Sequence, residues 1–246
     1  MVKKNACRFY TFVWLSLLVM IFSRCEKNED NLVKDFDGNA YHTVTIGTQV
    51  WMVENLKAVH YNDGTDIPNG CDSSDWVSLN SPAYCWYKND IHNKSMYGAL
   101  YNWFTVNTGK LCPPGWHVPT DSDWITLGNY LKANGYNYDG TTTVNGYGKA
   151  LASDTGWYSI QSIDCAIGSD DYPDKRNSTG FSGLPGGIRN PEGQFHNQYL
   201  FGLWWSSSER ESGYAFHRTL AFDHCGVVRS WSLKGNGYSV RCLKDN

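Results

Sequence analysis

The strongest constraint on the fold is a set of six of the chain's eight cysteines, Cys71, Cys85, Cys112, Cys165, Cys225 and Cys242, which remain once Cys7 in an apolar leader and Cys25 at its end are set aside from the 246 residues. Lys3, Lys4 and Arg8 precede an apolar run from Phe9 to Phe22, which is short for a membrane span and reads as an export signal. In an exported chain an even cysteine set reads as three disulfides, although six cysteines allow about 15 connectivities. A zinc site is the competing use. No C-x-x-C pair or H-E-x-x-H is present, and the cysteine spacings match no zinc template. Cys71 and Cys85 bracket a segment dense in Asp, Asn and Ser, too polar to hold itself by burial, so a local bridge between them is expected.

The end of the leader is informative. Cys25 follows Ile21-Phe22-Ser23-Arg24 and precedes the polar stretch Glu26-Lys27-Asn28-Glu29-Asp30, which resembles a bacterial lipoprotein signal with Cys25 as the lipidated residue. Arg24 stands where that pattern carries a small residue. The resemblance implies a signal peptide over 1–24, a tether over 25–34, a domain over 35–246, and an address at the outer membrane or cell surface. Each buried acyl methylene contributes about 0.8 kcal/mol, so several acyl chains anchor a protein without a transmembrane helix. Loss of 1–24 removes four cations and no acids, leaving 17 cations against 24 acids, a net charge of -7. An acidic product lacks the electrostatic basis for a nucleic-acid partner.

Composition points to a loop-rich domain. Charged residues are only 18% of the chain and aromatics 15%, with 24 glycines and 11 tryptophans, which disfavours a helical bundle and excludes disorder. Tyr41 to Gly47 alternates as a β-branched strand, turns at Gly47-Thr48 and pairs with Gln49 to Leu56. Tyr97, Leu100, Tyr101 and Phe104 form a helical stripe over about 96–106. A second helix is signed by Thr120 as N-cap, Asp123 at the capping-box position, Trp124, Leu127 and Leu131 on one face, and Gly135 as stop. A short helical piece is expected near Lys149 to Ala152. Tyr214 to Phe222 alternates large with small residues, and Val227–Leu233 and Gly237–Leu243 follow as strands joined by a Lys234-Gly235-Asn236-Gly237 hairpin turn.

Four stretches together resemble one family: Asp37 to Gly47 with Gln49 to Leu56, Tyr97 to Trp103, Cys112-Pro113-Pro114-Gly115-Trp116-His117-Val118-Pro119-Thr120, and Trp204 to Ser208 with Gly237 to Cys242. They are similar to the Fibrobacter succinogenes major paralogous domain, common in exported proteins and lipoproteins of the Bacteroidetes and Fibrobacteres. That family is similar in turn to the C-type-lectin-like fold of formylglycine-generating enzymes and of receptor proteins varied by diversity-generating retroelements. The resemblance implies an α+β domain with two helices, small antiparallel sheets and long disulfide-stapled loops. It also implies a Cys112–Cys242 staple, leaving Cys165 for Cys225.

Chemistry is thinner. The calcium-lectin tripeptides Glu-Pro-Asn, Gln-Pro-Asp and Trp-Asn-Asp are absent, and so are the close cysteine pair of formylglycine-generating enzymes, G-x-S-x-G and phosphate-binding glycine loops. No catalytic residue, metal site or cofactor is assigned, though Asp164, Asp170, Asp171 and Asp174 form an acidic loop able to offer oxygen ligands to calcium. His117 reads as a structural histidine beside the helix start. Flat rings beside amide and guanidinium groups suit a sugar or a protein epitope. The candidate ligand-binding set is Arg189, Asn190, His196, Asn197, Tyr199, Trp205, Glu209, Arg210, Tyr214 and Trp231. The function expected is a lectin-like envelope module binding a glycan or surface protein. A structural or fimbrial-type subunit is the alternative, with a formylglycine-generating-like envelope enzyme behind it.

Overall fold

The computed structural model describes residues 32–70, 72–77 and 79–246. The leader, Cys25 and Cys71 lie outside the described residues, so the lipidation site and the Cys71–Cys85 bridge are not addressed by it. No helix among the described residues is long and apolar enough to cross a membrane. In chain order the elements are β1 (Val33–Lys34), β2 (Ala40–Tyr41), β3 (Thr43–Ile46), β4 (Gln49–Met52), α1 (Ser73–Trp76), β5 (Tyr84–Cys85), α2 (Asn93–Tyr97), β6 (Leu100–Tyr101) and α3 (Trp103–Val106). There follow β7 (Trp116–His117), α4 (Asp121–Ala133), α5 (Gly148–Leu151), β8 (Gly186–Arg189), β9 (Phe195–Gln198), β10 (Phe201–Glu211), β11 (Tyr214–Ala221), β12 (Val227–Leu233) and β13 (Leu243–Lys244). The architecture is mixed and sheet-rich, with small antiparallel sheets and few helices.

The β3–β4 hairpin forms as the alternation predicts, with Thr43 opposite Met52 and Ile46 opposite Gln49. Gly47 sits at the turn with φ 63, which glycine adopts without steric cost. The sheet continues in the order β3-β4-β13-β7, so the chain's last strand closes onto its first hairpin, Leu243 pairing with both Trp51 and His117. Cys112 and Cys242 are bonded beneath it, Cα atoms 6.0 Å apart, and Cys165 is bonded to Cys225 with Cα atoms 5.0 Å apart.

Helix α4 starts as expected. The Thr120 hydroxyl accepts the Asp123 N–H at 3.1 Å, and the Asp123 carboxylate accepts the Thr120 N–H at 2.8 Å, closing the capping box. Trp124, Leu127 and Leu131 are buried against Trp51, Phe181, Trp204 and Leu220. The predicted 96–106 helix, by contrast, is two short ones, α2 and α3, separated by strand β6. Gly98 has φ 72 and ψ -164, a conformation essentially reserved for glycine, and a Cβ there would lie 2.7 Å from the Leu56 carbonyl oxygen. Leu56 then accepts the Ala99 N–H at 2.9 Å, which pulls the chain into β6, and Asn102 caps α3 by accepting the Thr105 N–H at 3.1 Å.

Strand β10 explains the tryptophan pair. Successive side chains in a strand point to opposite faces. Trp204 enters the cluster with Trp51 and Trp124, while Trp205 enters the one with Tyr101, Trp103 and Tyr238, so β10 is covered on both sides. The segment after β12 also differs from expectation. The chain turns at Asn236, whose N–H reaches the Leu233 carbonyl at 3.0 Å, but residues 237–242 do not pair with β12. Instead they thread the centre, with bonds from Tyr238 to Tyr101, from Ser239 to Leu203 and from Leu56 to Val240. Core partners on both flanks outcompete the local hairpin.

Candidate functional site

Tyr199 belongs to the turn between β9 and β10. It has φ 69, a left-handed conformation costly for a bulky side chain, and Asn197 beside it has φ 65. Two backbone bonds hold it there, Tyr199 N–H to the Pro185 carbonyl at 3.0 Å and Tyr158 N–H to the Tyr199 carbonyl at 2.9 Å. The residue is 52% exposed. It borders a cleft of about 750 Å³ whose other walls come from four further chain segments: Glu54, Met96 with Tyr97, Thr155 with Gly156, and Leu184. Met96 is 59% exposed and adds apolar surface to the cleft wall. Glu54 supplies charge at the wall, its two oxygens accepting from the His42 N–H at 2.8 Å and meeting His42 Nδ1 at 2.6 Å. A largely apolar cleft with a few convergent polar groups is the usual form of a small-ligand site.

The ten predicted binding residues fall into three groups. Asn190, His196, Asn197 and Tyr199 lie on or beside the β8–β9 hairpin; Asn190 Nδ2 is 3.4 Å from His196 Nε2 and the Asn190 carboxamide oxygen accepts the Gln194 N–H at 2.7 Å. Glu209, Arg210, Tyr214 and Trp231 converge at the tip of the β10-β11-β12 sheet, where the Arg210 guanidinium lies 3.3 Å over the Trp231 ring and Lys234 pairs with Glu209. The remaining two are corrections. Arg189 is fully buried: its guanidinium lies between Trp76 and Phe195, at 4.5 and 4.8 Å, and donates to the carbonyls of Gly70 and Gly193. Trp205 is fully buried because β10 is covered on both faces, its indole N–H bonded to the Tyr101 carbonyl at 2.9 Å. Neither can touch a ligand. Of the cleft walls, Glu54, Met96, Tyr97, Thr155 and Leu184 escape sequence reading; the one local sign was Gly98, which ends α2 and leaves Met96 facing out.

The acidic loop is organised from within. Lys149 is buried, and its ammonium donates to the Ser169 carbonyl at 2.9 Å, the Ser169 hydroxyl at 3.0 Å and the Asp171 carbonyl. Burial pulls its pKa down to about 8. The ammonium thus engages main-chain and hydroxyl oxygens of the loop and none of its four aspartate carboxylates, and no group of three or more metal-ligating side chains is found among the described residues. His117 ties the C-terminal strand to the start of α4, with Nδ1 2.6 Å from Asp245 and Nε2 3.4 Å from Asp123.

No curated protein and no solved structure matches the chain. The model of the Fibrobacter succinogenes major domain matches residues 44–244, which spans the β3–β4 hairpin, both bonded cysteine pairs, the Tyr199 cleft and the closing strand. With most of its length covered, this chain belongs to the Fibrobacter succinogenes major domain family.

Proposed function

We propose that this protein is a binding module of the cell envelope, exported by its leader and lipid-anchored at Cys25, and that its C-type-lectin-like domain takes a sugar ring of a glycan in the cleft beside Tyr199. The observation that carries this reading is the Tyr199 ring itself, held in a strained backbone conformation and half exposed over a roomy cleft. Backbone strain of this kind clusters at active sites and ligand clamps. A flat ring offers a stacking platform for the C–H face of a pyranose, while Glu54 and Thr155 offer partners for its hydroxyls. Each carboxylate oxygen of Glu54 keeps a lone pair beyond its contact with His42.

The test is a glycan array probed with the purified protein and with Tyr199→Ala. A positive array signal that Tyr199→Ala lowers roughly tenfold supports the assignment, since an aromatic stacking partner contributes about 0.5–1.5 kcal/mol beyond its buried area. A silent array, or a signal indifferent to Tyr199, refutes it.

A further inference from the structure

A second cavity, sharing no residue with the Tyr199 cleft, lies between α4 and the β11–β12 ladder. Strand register sets Arg218 directly opposite Arg229, an arrangement that is unfavourable for two like charges. A single carboxylate serves both: Asp121 Oδ1 accepts from Arg218 Nη1 at 2.8 Å and Asp121 Oδ2 from Arg229 Nη2 at 2.8 Å. Burial raises the Asp121 carboxyl, but the bonds from Arg229 and Arg218 outweigh it and hold the group below the usual carboxylate range. Lys132, two turns along the helix face from Trp124, lines the same cavity, and its ammonium has no ion pair among the described residues. Three cations therefore face one acid, a local surplus of two positive charges in a chain whose net charge is -3.

The surplus is only partly enclosed, since the Arg229 side chain is 48% exposed. The Arg218 side chain is only 5% exposed, so its charge is poorly screened by water. The cavity holds about 190 Å³, room for about six waters at roughly 30 Å³ each. Gly128 makes that room: a Cβ there would lie 2.4 Å from the Tyr147 hydroxyl oxygen. That hydroxyl lies in the cavity wall and makes no hydrogen bond among the described residues, leaving a neutral donor beside the cations.

We propose that this cavity binds an oxyanion, a sulfate, phosphate or carboxylate group, clamped by Lys132, Arg218 and Arg229 with the Tyr147 hydroxyl as a further donor. Guanidinium forks and ammonium groups bind such oxygens through charge-assisted bonds, and a bound anion also relieves the Arg218–Arg229 repulsion. The group can come as a free inorganic ion or on an acidic sugar ring.

Isothermal titration of the full chain at low salt, with inorganic sulfate, glucuronate and glucose as separate probes, tests this. Saturable binding of sulfate, glucuronate or both, with no heat from glucose, is expected; a clear preference for glucuronate identifies the acidic ring as the source, and parity with sulfate identifies the bare oxyanion. Lys132→Gln, at a side chain with no ion pair to lose, is expected to weaken binding about tenfold or more while leaving the urea midpoint unchanged. Tyr199→Ala should leave anion binding untouched, so this site and the sugar cleft stand or fall separately. The proposal is overturned if neither anion binds, or if binding is the same in Lys132→Gln.

Discussion

Removing the Cys112–Cys242 bridge should cost a large part of the protein's stability, and the size of the loss follows from topology. The bridge closes a sequence separation of 130 residues, and the Cys165–Cys225 bridge, of 60, lies wholly inside that loop. Loop-closure entropy assigns about 5 kcal/mol to an isolated 130-residue loop and about 4.3 kcal/mol to one of 60. The two are not independent. With the inner bridge intact, the unfolded path between Cys112 and Cys242 shortens to about 70 residues, which lowers the outer contribution to about 4.4 kcal/mol. Both outer cysteines are also buried in the cluster with Trp103 and Trp205, so their loss leaves a small void as well. Cys112→Ala/Cys242→Ala should therefore lower the unfolding free energy by about 4–5 kcal/mol, against about 5–15 kcal/mol available to an ordinary domain. Urea unfolding followed by tryptophan fluorescence measures it, with a larger m-value expected because the unfolded chain is less constrained. A loss below about 1 kcal/mol, or peptide mapping that pairs Cys112 elsewhere, would refute the reasoning.

Three further predictions address the fold. Gly98→Ala places a Cβ against the Leu56 carbonyl in a backbone region closed to alanine, and should destabilise by about 2–5 kcal/mol; Gly109→Ala, also at positive φ (70) but with open space around it, should cost only about 1 kcal/mol in the same urea assay. His217 is buried among Trp205, Tyr238 and Ser232, and burial pulls its pKa down to about 4. Between about pH 6.5 and pH 4 the unfolded chain binds a proton that the folded one does not, so stability falls as pH drops through that window. His217→Gln should flatten this slope by up to about 3 kcal/mol in urea titrations from pH 7 to pH 4; identical slopes would show that carboxylates alone set it. Lys149→Met leaves the Asp171 carbonyl and the Ser169 hydroxyl without their ammonium donor, and the Ser169 carbonyl with Arg176 alone, and should cost about 2–4 kcal/mol, with limited proteolysis newly cutting the 164–176 loop.

What could be read from sequence was what is decided locally. Helix α4 is set by Thr120 and Asp123 three residues apart, and the β3–β4 hairpin by alternation around Gly47, so both are found where expected. The helix expected over 96–106 fails because Gly98 answers to a carbonyl at Leu56, far upstream in the chain. The same distance effect governs the site residues. Nothing near Arg189 or Trp205 announces that Trp76 or Tyr101 will cover them. Tyr199 was legible as an aromatic among polar neighbours, but its cleft is assembled from five segments. The Arg218–Arg229–Lys132 cluster exists only through strand register and the docking of α4.

On the function proposed above, the ligand enters the Tyr199 cleft. Backbone amide NMR of the isotopically labelled protein, titrated with the strongest glycan from the array, tests it most directly. Saturable shifts are expected at Thr155, Gly156, Met96, Tyr97 and Tyr199, with the sheet tip at Arg210 and Trp231 undisturbed. Shifts centred on that tip, or scattered without saturation, would contradict it.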